Sequence, residues 1–153
     1  MSKEAVPRID PKYARFRMHA EPSAIHRWGV YADEDIPPRR KVIEYTGERI
    51  SRRQIKIRSA RELHYIFTVD SYWAIDGSVG GSGAEFVNHS CAPNLESRIV
   101  QGDRVAYFSV RPIKKGEELT VDYLFGPHEE IVPCKCGAKN CRGTINLPKF
   151  TTK

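Results

Sequence analysis

Long apolar runs are what this sequence most conspicuously lacks. No stretch approaches the roughly 18 or more apolar residues of a membrane span, and the opening MSKEAVPRIDPKYARFRM has no apolar centre of the kind a secretory leader carries. A soluble, intracellular protein, cytoplasmic or nuclear and with no membrane partner, is therefore expected. Internal repeats and low-complexity tracts are missing too. With 153 residues and 40% hydrophobic content, the chain supports one compact domain with a modest core and leaves no room for a second large one. A single-sign charge block is not evident either: the net charge of +6 comes from basic residues spread along the chain, which read mostly as solvated surface. Contact with nucleic acid stays open on that charge, without a motif to carry it.

Cysteine is scarce, and its placement is uneven. Three of the four cysteines fall in "CKCGAKNCRG" as Cys134, Cys136 and Cys141, and the fourth is Cys91 in "EFVNHSCAPN". The C-x-C spacing and the missing leader favour thiolates in a reducing compartment over a pair of disulfides. Four thiolates close the tetrahedral shell of one structural Zn2+, leaving a net charge of about −2 that Lys135, Lys139 and Arg142 are placed to offset. Such an ion would pin the C-terminal segment beside the "NHSC" turn. A catalytic Cys91 with His89 two positions away is the alternative reading.

Short strands dominate the rest. "WGVYA", "KVIEYTGE" stopped at Gly47, the pair "YIFTVD" and "YWAID" around Asp70 and Ser71, the hairpin "SRIV" and "RVAYFSV" around "QGD", and "ELTVDYLF" all carry strand signals. Ser51 followed by Gln54 is a capping-box pattern that predicts one short helix. The glycine-rich "GSVGGSG" favours no regular element, and the proline-punctuated residues 1–22 read as an N-terminal arm wrapping the core. The fold class is mainly β.

Taken together and in order, "SAIHRWGVYA", "EYTGE", "EFVNHSCAPN", "EELTVDYLF" and "CKCGAKNCRGTI" resemble a SET-domain protein lysine methyltransferase with a post-SET zinc segment. The resemblance implies a SET-domain (β-clip-like) fold over 23–125, a C-terminal segment threaded under a loop to join "NHSC" with "LTVDY", and a post-SET zinc segment over 130–147. It further implies transfer of methyl groups from S-adenosylmethionine to lysine of a protein substrate, with histones among the candidates. Trp28, Gly29, Tyr65, Asn88 and His89 match the family's cofactor pocket. Tyr123 matches its catalytic tyrosine and Tyr45 a tyrosine lining the lysine channel. Phe125 stands where relatives carry an aromatic residue governing how many methyl groups fit, and phenylalanine there implies more than one. Asp122 and Glu118 read as structural hydrogen-bonding partners.

Two positions depart from the family pattern. Arg27 occupies the place of a glycine before Trp28, and Glu85 replaces the arginine that commonly precedes "FVNHSC". Their opposite swaps suggest an exchanged ion pair. The rival reading from another class is a noncatalytic zinc-stabilised module binding nucleic acid or a protein partner.

Overall fold

In the computed structural model the described residues are 6–59, 65–102, 104–123 and 132–146. Ten strands, β1 (Met18–Pro22), β2 (Trp28–Ala32), β3 (Lys41–Tyr45), β4 (Glu48–Ser51), β5 (Ile66–Thr68), β6 (Trp73–Asp76), β7 (Asn88–His89), β8 (Leu95–Val100), β9 (Arg104–Ser109) and β10 (Glu118–Val121), surround a single α-helix among the described residues, α1 (Arg52–Ser59). The larger sheet has the order β1-β2-β10-β8-β9-β3, and β7 pairs with β10 off that path. A smaller sheet, β4-β6-β5, stands beside it. No helix among the described residues is long and apolar enough to cross a membrane.

Local sequence explains most of these elements. The capping box forms: Ser51 N donates to Gln54 Oε1 at 3.1 Å and Gln54 N to Ser51 Oγ at 3.5 Å, satisfying two donors at the start of α1. The β5–β6 turn is held by Asp70, whose Oδ1 accepts from the backbone N of Tyr72 and Trp73, each at 2.8 Å. β3 is buried along nearly its whole length, with Val42 and Ile43 fully enclosed among Val30, Leu95, Val105 and Leu119. Truncating Ile43 to alanine there costs about 2–5 kcal/mol. Glu44, buried on the same strand, is matched by a two-pronged bond from Arg104 (3.0 and 2.6 Å) that holds its carboxyl below the usual range.

Two details differ from the sequence reading. Of the expected arm, Ala14 bridges Ile43 and Arg15 N bonds to Val42 O at 2.8 Å, while Met18–Pro22 join the sheet as β1. Only Ala20 of those five residues is buried, so no alternation marked the strand. The run "ELTVDYLF" leaves the ladder at Val121, where the side chains of Asp122 and Tyr123 take up separate partners.

β10 positions the site. It runs antiparallel to β2 and parallel to β7 and β8, with Thr120 opposite Asn88, Val121 opposite His89 and Val121 opposite Leu95. Asn94 fixes this register from the side: its Oδ1 accepts from Thr120 N at 2.9 Å and its Nδ2 donates to Glu118 O at 2.9 Å. "NHSC" and "LTVDY", thirty residues apart, thereby become neighbours.

Candidate active site and metal centre

A cavity of about 550 Å³ opens between the two sheets, lined in part by Tyr45, Tyr65, Glu85, Val87, Tyr107 and Tyr123. Tyr45 hangs from the end of β3 and donates its hydroxyl to Tyr65 O at 2.6 Å; Tyr123, just past β10, donates to Val87 O at 2.9 Å. Both phenols therefore spend their protons on backbone carbonyls and keep oxygen lone pairs for other donors. Tyr123 is 38% exposed as a residue, yet its hydroxyl end is enclosed, and burial pushes its pKa above the ordinary value of 10. Tyr45 and Tyr107 are raised by burial in the same way. The tyrosines stay neutral near pH 7, acting as fixed dipoles and not as bases.

Behind Tyr123 lies a polar knot built on Asn88 and Glu118. Asn88 Nδ2 donates to Trp28 O (2.8 Å), His26 O (3.2 Å) and Glu118 Oε2 (2.9 Å), which leaves Oδ1 without a donor among the described residues. Glu118 also accepts from Ser23 Oγ (2.9 and 3.0 Å) and Tyr31 OH (3.2 Å). Gly29 is required beside it, because a Cβ there would collide with the Glu118 carboxylate and with Ser23. This knot ties the 23–28 turn, β2, β7 and β10 at one point. Glu118 is the structural partner its position suggested.

His89 is committed between two neighbours. Its Nδ1 accepts from Tyr123 N at 3.0 Å, which places the ring proton on Nε2, 3.6 Å from Cys91 Sγ. The imidazole stands edge-on to the Tyr123 ring, centroids 5.4 Å apart, and desolvation holds its pKa below 6.5. The His89 ring thus bridges the Cys91 sulfur and the Tyr123 backbone.

All four cysteines are free thiols, and their sulfur atoms lie within 4.8 Å of one another. A tetrahedral Zn2+ with Zn–S of about 2.3 Å requires sulfurs about 3.8 Å apart; Cys91 and Cys134 are separated by 3.9 Å. Backbone amides surround the cluster: Arg142 N points to Cys91 Sγ (3.3 Å), Gly143 N to Cys141 Sγ (3.4 Å) and Cys91 N to Cys136 Sγ (3.5 Å). Despite the desolvation that opposes it, amide bonds to the Cys136 sulfur pull that thiol down to about 6, while burial pushes Cys134 up to about 12. The donor set fits one zinc ion. Arg142 contributes more than charge compensation, since its guanidinium pairs with Asp122 (3.0 and 3.3 Å) and caps the carbonyls of Ile145 (2.9 Å) and Asn146 (3.2 Å).

The predicted residues thus divide into three groups. Tyr45, Tyr65 and Tyr123 share the cavity; Trp28, Gly29, Asn88 and His89 meet behind Tyr123; the cysteines assemble at the far side of His89. Phe125 lies outside the described residues. Arg27 and Glu85 form no pair: Glu85 Oε1 accepts from Gly83 N at 2.9 Å, and Arg27 has a φ of 37°, in the left-handed region where a glycine is at ease. Asn94, the register pin, closes the "EFVNHSCAPN" motif, which marks its place in the family pattern without revealing that its side chain bonds Thr120 and Glu118.

Comparison with known proteins agrees with this arrangement. Residues 27–124 match the SET domain. A "Histone-lysine N-methyltransferase, H3 lysine-4 specific" of Saccharomyces cerevisiae is 40% identical over 136 residues, covering 81% of this chain and 13% of that protein. One of the same name from Schizosaccharomyces pombe is 40% identical over 144 residues (88% of this chain, 16% of that protein), and "Histone-lysine N-methyltransferase set-2" of Caenorhabditis elegans is 39% identical over 133 residues (81% and 9%). The chain spans between about a tenth and a sixth of the length of these relatives. With the SET profile matched across most of the described core and the "NHSC" and "LTVDY" segments paired strand to strand, this chain belongs to the SET-domain family.

Proposed function

We propose that this chain transfers methyl groups from S-adenosylmethionine to the side-chain amine of lysine in a protein substrate, with a histone tail as the first candidate. The observation that carries this reading is the pair of phenol oxygens, Tyr45 and Tyr123, which face one cavity with their own protons already donated to Tyr65 O and Val87 O. Two fixed acceptors of this kind hold the hydrogens of an incoming amine and so aim its remaining lone pair.

S-adenosylmethionine, when bound, supplies an electrophilic methyl carbon and a positive sulfur. The open acceptor Asn88 Oδ1, beside the Trp28 carbonyl and the side-chain-free Gly29, suits its ammonium end. The chain's own task is alignment, water exclusion and handling of the amine proton. Forming neutral lysine at pH 7 costs about 4–5 kcal/mol, and the apolar walls contributed by Val87, Phe67 and Tyr107 lower that cost by disfavouring the ammonium form. Tyr123 is too weak an acid to exchange its proton here. One structural zinc, held by Cys91, Cys134, Cys136 and Cys141, fastens the C-terminal segment against the "NHSC" turn.

Incubation with radiolabelled S-adenosylmethionine and core histones tests the reading. Wild type labels a histone, and Tyr123→Phe lowers the rate by about 100-fold or more; equal labelling by the variant removes Tyr123 from the chemistry. No labelling of histones or of a cell lysate by wild type favours the noncatalytic module. Phe125 is proposed to leave room for a second methyl group, so Phe125→Tyr shifts products toward monomethyl-lysine in mass spectra.

A further inference from the structure

One charged group on the cavity lining has no counterpart among the described residues. Asp122 is paired with Arg142 at 3.0 Å and Arg98 with Glu96, whereas Glu85, half-buried on the same lining, makes no ion pair among the described residues. A desolvated carboxylate without a cation is costly and rare unless a cation is to be delivered to it. Two backbone amides serve the carboxylate, Gly83 N to Oε1 at 2.9 Å and the amide of Glu85 itself, and neither brings a compensating charge. The surrounding loop is shaped to it, since a Cβ at Gly77 or at Gly81 would strike the Glu85 side chain, and the same position at Gly77 lies 3.1 Å from the Tyr45 hydroxyl. Glu85 thus shares the lining of one cavity with both phenols, its Cβ packed at Gly77 and its carboxylate at Gly81.

We propose that Glu85 is the cation-recognising group of this cavity, capturing the ammonium of the target lysine and then accepting one of its protons. The inference rests on the lysine-methylating reading of the site. The step balances simply: an Nζ–H bond breaks, its electron pair stays on nitrogen as the lone pair, an O–H bond forms on Oε2, and solvent later takes that proton. In a low-dielectric cavity the neutral amine and carboxylic acid are favoured over the ion pair they replace. Burial already raises the Glu85 pKa above the usual carboxylate value, which brings the two partners' proton affinities closer. Glu85 also resolves an electrostatic difficulty, because a chain of net charge +6 offers a basic substrate no long-range attraction and needs a local anion at the point of capture.

Glu85→Gln is the informative variant: it keeps the shape and an oxygen for Gly83 N while removing the charge. The whole 153-residue chain is titrated with n-butylammonium chloride, and with 1-butanol as its neutral counterpart, by amide NMR. Wild type prefers butylammonium by about tenfold or more, with shifts at Tyr45, Tyr65 and Gly83, and the variant loses that preference. In wild type the Glu85 carboxyl carbon itself shifts with butylammonium and not with butanol, a readout independent of how well any variant folds. In the histone-labelling assay Glu85→Gln raises KM and lowers kcat by about 100-fold. Equal butylammonium binding by wild type and variant, or an unmoved Glu85 carboxyl resonance, overturns capture; an unchanged kcat overturns proton acceptance. If wild type labels no histone the proposed activity fails, while the butylammonium titration still decides the role of Glu85.

Discussion

At the scale of single residues, a side chain's value here depends on what its neighbours leave it free to do. Tyr45 and Tyr123 are acceptors because backbone carbonyls already take their protons, and His89 is fixed as one tautomer because a backbone amide occupies Nδ1. None of these assignments is visible in the residue names. Arg27 is the opposite case: the sequence marks it as out of place, and its φ of 37° says why a glycine would serve. A β-branched side chain is worst in that conformation, so Arg27→Val should be less stable than Arg27→Gly by about 1–2 kcal/mol in urea denaturation. The difference between the two variants isolates the backbone effect, because both lose the guanidinium.

Among the elements, those with a local code were legible: the capping box of α1, the Asp70 turn between β5 and β6, and the "QGD" hairpin joining β8 to β9. β1 and the two-residue β7 were not, since each is a strand only because a partner lies alongside it. Likewise Glu118 gathers Ser23, Tyr31 and Asn88 across separations of 30 to 95 residues, which periodicity does not encode. The cysteine cluster spans a similar distance yet was readable, because four thiols allow one tetrahedral set. β1 carries its own clamp: His19 contacts Glu21 and Asp33 at 2.6 Å through its two ring nitrogens, as a doubly protonated ring can. The bond to Glu21, and then that to Asp33, raise its pKa above 6.5. A raised histidine stabilises the fold below the unfolded value of about 6.5 and loses that contribution as pH rises through the folded value. At this exposed site the effect is below about 1 kcal/mol. The His19 ring resonances should titrate above 6.5 in wild type and fall back in a Glu21→Gln, Asp33→Asn double variant.

Arg142 carries the influence of the cysteine-rich segment into the sheet, joining Asp122 at the end of β10 to the carbonyls of Ile145 and Asn146. For the molecule as a whole, the proposed zinc would tether the 132–146 segment and, through His89, support the phenol. Metal analysis should find one zinc per chain. Its removal by a chelator should lower the thermal midpoint by roughly 5–15 °C, corresponding to about 2–4 kcal/mol at this chain length. Arg142→Ala should lose about 2 kcal/mol with zinc retained, because Asp122 is then left partly buried without its partner. The order of the larger sheet adds a constraint on how such a chain is made. β10 sits between β2 and β8, so during synthesis the β1–β2 hairpin and the β8–β9–β3 layer emerge first as separate pieces, each with an unsatisfied edge facing a gap. The keystone strand leaves the ribosome only after both flanks, and until it slots in, neither flank can close: a nascent chain stalled before Glu118 is a sticky half-shell, and maturation is all or nothing.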